Sequence, residues 1–350
     1  MTPRDLRLAC IGRRQETADV VTFIFRDIDG RPVKHLPGQA LTLALPLPGE
    51  TAWRSFTIAS APTRAEVVEL TVKAAAHGRA TRWMHEALHP GVELEARGPV
   101  GRFSLAHHHA PAFAFISGGS GITPMMSMLR WLADRGESAD VVFLHAARTP
   151  ADVLFADELA MLDGQMPHLR IVTVVADVPA GQCWAGFRGA VDRRLVALAV
   201  PDLSRREVFC CGPSGFMAAI ERIFDAEGGE ATRFHTESFG TATATSDIPA
   251  PAPLAVDREA GPTLTIDGRA LPAAIGSTVL ATARAGGIVI PTGCQDGLCG
   301  TCRVRKLAGE VDMNHKGGIS PREIRQGYIL ACCSRLKGDV DVITTTHGGG

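Results

Sequence analysis

Hydrophobic and polar positions over residues 1–108 fall into short runs rich in β-branched and aromatic side chains. "VVTFIF", "QALTLALPL", "RSFTIAS" and "VVELTVKA" are separated by Gly and Pro. Such spacing predicts a closed or sandwich-like antiparallel sheet. One stretch, "TRWMHEALH", has helical spacing instead.

From about residue 110 the period changes. "AFAFIS" reads as a buried strand, followed by a glycine turn and by "TPMMSMLRWLADRG", whose apolar residues recur at helical spacing. Strand "DVVFLHAA", helix "DVLFADELAML", strand "LRIVTVVA", helix "VDRRLVALAV", strand "EVFCCG" and helix "SGFMAAIERIFDAEG" continue the alternation. Strands alternating with helices imply a parallel sheet covered on both faces. Residues 240–261 hold Ala, Thr and Pro without periodicity and read as a linker, stiffened by "PAPAP". A third unit fills 262–350. The expected modules are therefore 1–108, 109–239 and 262–350.

Composition narrows the classes. The 350 residues are 45% hydrophobic with a formal net charge of -1, which offers nothing to a nucleic acid or a membrane surface. No apolar run spans a bilayer, and the N-terminus lacks the apolar core of a secretory signal. Nine cysteines, an odd number, argue against a disulfide framework and for a reducing, cytoplasmic setting.

Three of those cysteines crowd "PTGCQDGLCGTCRVRK": Cys294, Cys299 and Cys302, interleaved with Gly293, Gly297 and Gly300. Cys332 follows in "ILACC". C-x4-C-x2-C with a distant fourth cysteine is the plant-type [2Fe–2S] spacing. Two bridged irons need four thiolates, and a tight glycine loop turns backbone N–H groups toward the sulfurs. Zinc sites favour paired C-x2-C units, and only one such pair is present. Cys332 is the expected fourth ligand, since neighbouring Cys333 would point the other way on an extended segment. Residues 262–350 thus resemble a plant-type ferredoxin domain of α+β β-grasp fold. From Thr263 to Gly350 there are ten Lys/Arg and seven Asp/Glu, a balance of +3. Free plant ferredoxins are strongly acidic, so docking through a broad acidic face is not expected.

The upstream modules resemble the ferredoxin–NADP reductase family: an antiparallel β-barrel flavin domain followed by an α/β nicotinamide domain. Arg54, Ser55, Phe56 and Thr57 match its R-x-[YF]-[ST] flavin motif. Arg54 can neutralise a flavin phosphate, Phe56 offers an apolar face to the isoalloxazine, and Thr57 brings a hydroxyl to the N5 edge. "HGRATRWMHEALHPG" matches the family's second phosphate-binding segment, with Gly78, Arg79 and Thr81 at a helix start. Two phosphate contacts favour FAD over FMN. Gly118, Gly119, Gly121, Ile122, Thr123 and Pro124 match the G-G-x-G-[IV]-[TA]-P turn that lets backbone N–H groups approach a pyrophosphate. Cys211, Gly212 and Pro213 match the C-G-P segment, whose cysteine the resemblance places near nicotinamide and flavin. Glu237 and Phe239, in "HTESFG", occupy the family's C-terminal position at the flavin. Thr57 and Cys211 are the expected catalytic residues.

The tract His107–His109 reads as a solvated interdomain loop without acidic or cysteine partners. His77, His85 and His145 read as surface or packing residues, and Met125, Met126 and Met128 as core. No two-histidine, one-carboxylate set stands out, so an oxygenase active site is not expected.

The resemblance implies an NAD(P)H-dependent reductase passing electrons through FAD and a [2Fe–2S] cluster to a separate terminal oxygenase, such as a Rieske-type enzyme. A hybrid-cluster protein or a desaturase is the alternative acceptor. A free-flavin reductase would need no cluster, and a zinc-stabilised binding module would be colourless. Arg148, in "HAARTPADVLF", offers a charge to a 2′-phosphate, whereas the segment as a whole resembles NADH-using members; NADH is the expected donor.

Overall fold

The computed structural model describes residues 4–76, 78–239, 261–292, 295, 297, 300–315, 318, 319 and 321–344. The expected linker therefore lies almost wholly outside the described residues. Two compact units result, Met1–Ser238 and Phe239–Gly350.

The first unit begins with β1 (Arg4–Thr17), which lies outside the β-rich runs named above. Leu6, Leu8 and Cys10 point inward while Asp5 and Arg7 face solvent, a period-two pattern that dense charge obscures. It is followed by β2 (Val20–Asp27), β3 (Ala40–Leu47), β4 (Glu50–Thr57), β5 (Val68–Lys73), helix α1 (Arg79–Ala87) and β6 (Glu93–Val100). These strands pair antiparallel in the order β4-β3-β6-β1-β2-β5. The two edges then meet: Ile58 bridges Leu70, and the Ala59 N–H donates to the Glu69 carbonyl at 2.8 Å. Closure surrounds a core that includes Leu8, Phe23, Phe25, Leu41, Ile58 and Leu70, and leaves few unpaired edge groups.

The second half of this unit runs β7 (Ala112–Gly118), α2 (Ile122–Asp134), β8 (Asp140–Ala147), α3 (Ala156–Gln165), β9 (Leu169–Val175), β10 (Phe187–Arg188), α4 (Arg193–Ala199), β11 (Glu207–Cys211), α5 (Ser214–Ala226) and β12 (Phe234–Glu237). All six strands are parallel, in the order β10-β9-β8-β7-β11-β12. Alternate residues serve opposite faces, as expected of a sheet covered on both sides. Phe115, Phe143 and Phe209 pack with Met125, Met126 and Met128 of α2, while Ile116, Leu144 and Cys210 pack with Ile220 and Phe224 of α5.

Buried side chains join the two halves. Arg130 on α2 is 4% exposed and donates to the Ala59 carbonyl (2.8 Å), to Glu69 (3.2 Å) and to both oxygens of Glu158 (2.6 Å each). Ser127, one turn earlier, donates to the Ser60 carbonyl at 2.8 Å.

The second unit holds β13 (Thr263–Ile266), β14 (Arg269–Pro272), α6 (Val279–Ala285), β15 (Arg303–Ala308), β16 (Val311–Met313), α7 (Pro321–Arg325), β17 (Tyr328–Leu330), β18 (Ser334–Leu336) and β19 (Val340–Thr344). Its main sheet, β14-β13-β19-β15-β17, is mixed: β13 and β19 run parallel and the other pairs antiparallel. Helix α6 packs Val279, Leu280 and Ala283 into the same core as Leu264, Val304 and Val342.

Candidate functional site

Strand order in the parallel sheet reverses between β7 and β11. Ligands of open α/β sheets bind at such a switch point, at the carboxyl ends of the strands. Here two glycine turns meet. A Cβ built on Gly121 would fall 2.4 Å from the Cys211 carbonyl oxygen, and one on Gly212 would fall 3.1 Å from the Gly118 nitrogen. Gly119 takes φ +56°, a backbone region in which side chains are strained. The glycines therefore let two turns close on each other. Ile122, Thr123 and Pro124 have buried side chains, so of these three only the backbone is available to a nucleotide. Their part is to seat the first turn of α2, where the Thr123 hydroxyl donates to the Ser120 carbonyl at 3.2 Å.

Cys211 ends β11, fully buried, in register with Ser117 of β7 and Glu237 of β12. Burial, reinforced by the Glu237 charge, pushes its thiol well above the usual cysteine range. Burial therefore disfavours a thiolate at this position. Glu237 reaches the barrel: Thr57 Oγ1 donates to Glu237 Oε2 at 3.0 Å. The two expected catalytic residues are thus joined through Glu237. Phe239 lies beyond β12, 37% exposed, where the second unit begins.

On β4, Thr57 is buried, while Arg54, Ser55 and Phe56 are half-buried. The Ser55 and Thr42 hydroxyls lie 2.8 Å apart, Arg54 donates to the Trp53 carbonyl at 2.9 Å, and Phe56 packs against the barrel core. Gly78 caps α1, and a Cβ there would meet Thr81 Oγ1 at 2.7 Å. The Thr81 hydroxyl accepts from the Ala75 N–H at 3.0 Å, and Arg79 pairs with Glu50 at 2.9 Å. A groove of about 480 Å³ runs beside α1, lined by Leu47, Pro48, Arg79, Arg82 and Trp83 among others. His77 lies outside the described residues.

At the cysteine loop, Cys294 and Cys299 also lie outside the described residues. Gly297 and Gly300 have φ of +69° and +70°, and a Cβ on Gly300 would fall 2.7 Å from the Gly318 carbonyl oxygen. The Gly297 N–H donates to Cys332 Sγ at 3.3 Å, and the Cys332 N–H to Cys302 Sγ at 3.4 Å. Hydrogen bonds from Cys302 and then Cys333, with the Gly297 N–H adding, pull the Cys332 thiol down to about 4. Backbone donors turned on sulfur are what a thiolate-ligated cluster requires. Residues 331–333 form a turn and not the extended segment expected, so strand alternation does not separate the two cysteines; the Cys333 thiol reaches Cys332 and also donates to the Leu330 carbonyl at 3.7 Å.

Two expectations are corrected. The histidine tract is not wholly solvated, because tertiary structure gives His108 an acidic partner, Glu207. His235 joins them, so a two-histidine, one-carboxylate set exists after all. The residues come from three separate segments, and no spacing rule connects them.

Comparison with known proteins agrees with this architecture. Residues 10–105 match an oxidoreductase FAD-binding domain, 115–222 an oxidoreductase NAD-binding domain and 264–337 a 2Fe-2S iron-sulfur cluster binding domain. The chain is 40% identical to the stachydrine N-demethylase reductase subunit of Rhizobium meliloti over 329 residues, 94% of this chain and 93% of that one. It is 38% identical to the glycine betaine monooxygenase reductase subunit of Pseudomonas aeruginosa over 342 residues, 95% and 93% of the two chains. In fold it is similar to phthalate dioxygenase reductase, with a TM-score of 0.58 at 24% identity, covering 97% of each chain. The chain belongs to the family of reductase subunits that join FAD-binding, NAD-binding and 2Fe-2S domains in one polypeptide, and it is an NAD(P)H-dependent flavin and iron–sulfur oxidoreductase.

Proposed function

We propose that this chain supplies electrons to a separate terminal oxygenase of the Rieske type, drawing them from NADH. The observation that carries this reading is the convergence of Thr57, Glu237 and Cys211 in a chain that also bears the cysteine loop. The relatives named for a demethylase and a monooxygenase support the oxygenase as acceptor. FAD, when bound, would supply acceptance of a hydride from the nicotinamide, and the cluster would supply one-electron transfer onward.

The protein's own residues orient these groups. Thr57, held by Glu237, presents its hydroxyl oxygen to the flavin edge, and the half-buried Phe56 lies along the ring. Arg54 and Ser55 line the phosphate end. At α1 the helix N-terminus and Gly78 receive the second phosphate. Thr81 shapes that turn from within, and Arg79 must exchange Glu50 to reach the phosphate. Gly118, Gly119, Gly121, Gly212 and Pro213 form the nucleotide crevice. Cys211, small and buried, sets how deeply the nicotinamide enters. Cys294, Cys299, Cys302 and Cys332 hold the cluster. Module boundaries near 108 and 239, and a linker over 240–261, accompany this assignment, as does a cytoplasmic setting. Among the described residues no helix is long and apolar enough to cross a membrane.

The donor preference rests on Arg148, just beyond β8. It is held by Asp19 (2.9 Å) and Asp152 (2.5 Å), so a 2′-phosphate would meet two carboxylates along with the guanidinium. The function is tested by reconstitution. Turnover of the candidate oxygenase with NADH should vanish when this protein is omitted and return when it is added. Equal turnover without it would overturn the assignment.

A further inference from the structure

The set formed by His108, Glu207 and His235 has no part in the redox path. Glu207 opens β11, and His235 lies on β12 in register with Phe209. His108 comes from the segment after β6, just past the short turn Leu105–His107. At about 3.3 Å per residue, Glu207 stands roughly 13 Å along β11 from Cys211, at the opposite end of the sheet from the nucleotide crevice.

Glu207 Oε1 is 2.9 Å from His108 Nδ1 and 2.6 Å from His235 Nε2. The three candidate ligand atoms all lie within 4.8 Å of one another. The two imidazoles stand 4.0 Å apart, centroid to centroid, and both lie against the Phe209 ring, at 5.4 and 4.9 Å. Side-chain exposures of 24%, 12% and 19% for His108, Glu207 and His235 leave the set mostly buried and partly open to solvent.

A carboxylate oxygen only accepts, so without an ion each ring turns an N–H toward the same oxygen. A neutral imidazole that carries its proton on the other nitrogen presents a lone pair at the same point. A tetrahedral zinc ion, at about 2.1 Å from each donor, needs ligand atoms about 3.4 Å apart. The two carboxylate–imidazole distances, 2.9 and 2.6 Å, reach that spacing with movements of less than about 1 Å, and water would take the fourth position. We propose that His108, Glu207 and His235 form a divalent-cation site of the zinc class. The ion would tie the segment joining the barrel and the parallel sheet to β11 and β12, as a structural staple.

The test uses the full chain with flavin and cluster in place, dialysed free of loose metal and titrated calorimetrically with zinc chloride alone. One zinc per chain is expected. His108→Ala, His235→Ala and Glu207→Gln should each weaken that equivalent by about 100-fold or more, beyond the loss typical of an outer-shell partner. His109→Ala, at the exposed neighbour, should bind as the parent does. Zinc-edge X-ray absorption should show imidazole and oxygen ligation without sulfur. Flavin and iron content per chain report folding, and Glu207→Gln, which keeps shape, decides the matter if an alanine variant loses either. No stoichiometric zinc in the parent, equal zinc in the ligand variants, or sulfur-dominated ligation would overturn the site. The oxygenase assignment stands or falls separately, since NADH-driven turnover does not enter this readout.

Discussion

Thr57 Oγ1 donates to Glu237 Oε2 at 3.0 Å although 180 residues separate them in the chain. One lies on the last strand residue before the barrel closes, the other at the end of the last parallel strand. The bond fixes where the flavin module meets the nicotinamide module, and it couples the Thr57 hydroxyl to a carboxylate in register with Cys211.

Thr57→Val, which keeps volume but lacks the hydroxyl, should slow flavin reduction by NADH about tenfold or more, the scale of one hydrogen bond to a charged group. Thr57→Ser should retain most of the rate. Anaerobic stopped-flow at the flavin absorbance, with flavin and iron content unchanged, is the measurement. An unaltered rate in Thr57→Val would remove the hydroxyl from the mechanism.

The cysteine pair in "ILACC" makes a sharper prediction. Cys332→Ser should abolish the [2Fe–2S] absorbance and lower iron and sulfide per chain, because Cys332 Sγ is the sulfur that the Gly297 N–H reaches. Cys333→Ser should keep its cluster. Iron and sulfide analysis of the two variants reads the answer directly, and the reverse pattern would exchange their roles.

Arg130 is the buried junction between α2, α3 and the barrel. Arg130→Met should destabilise the first unit by about 3–5 kcal/mol, because Glu158 loses its guanidinium and Glu69 keeps only the more exposed Arg14 at 3.6 Å. Adding Glu158→Met should recover a large part of the loss. Urea unfolding followed by flavin release compares the three proteins, and additive losses in the double variant would argue against a coupled network.

Acid sensitivity should trace in part to His145. It is fully buried on β8, 2.9 Å from Ser117 Oγ, and burial holds it down to about 4. The unfolded chain takes up this proton near pH 6.5, before the folded one does. Stability is therefore complete above that pH, falls as pH drops from 6.5 to 4, and levels below. The full contribution is about 3 kcal/mol. His145→Leu should flatten the curve over this window, whatever its effect at pH 7. Denaturant unfolding at half-unit pH steps tests it, and an unchanged slope would assign the acid sensitivity to other groups.

Nucleotide choice should respond to the carboxylates around Arg148. Asp152→Asn should improve NADPH use relative to NADH, by about tenfold in kcat/KM for a gain near 1.4 kcal/mol. Steady-state rates with both nucleotides suffice, and a wider preference for NADH would place the 2′ position elsewhere.

The sequence by itself determined what depends on neighbours in the chain. Cysteine spacing pointed to a cluster loop, because three of the four thiolates of a plant-type cage come from one short segment. The glycine turns were legible because Gly121 and Gly212 sit where any side chain would strike a backbone. Period-two runs and their switch to helical spacing gave the barrel and the parallel sheet, since burial repeats with the geometry of each element. Charge hid β1, whose outward positions carry most of its polar residues. Tertiary structure alone decided the meetings of distant residues. Thr57 with Glu237, Arg130 with the Ala59 carbonyl and Glu69, and His108 with Glu207 and His235 lie on different elements. Their approach depends on how a barrel closes and on where a parallel sheet reverses its order. Local pattern carries no record of that, because pairing at long range is fixed by the summed burial of the whole core and not by any residue within the motif.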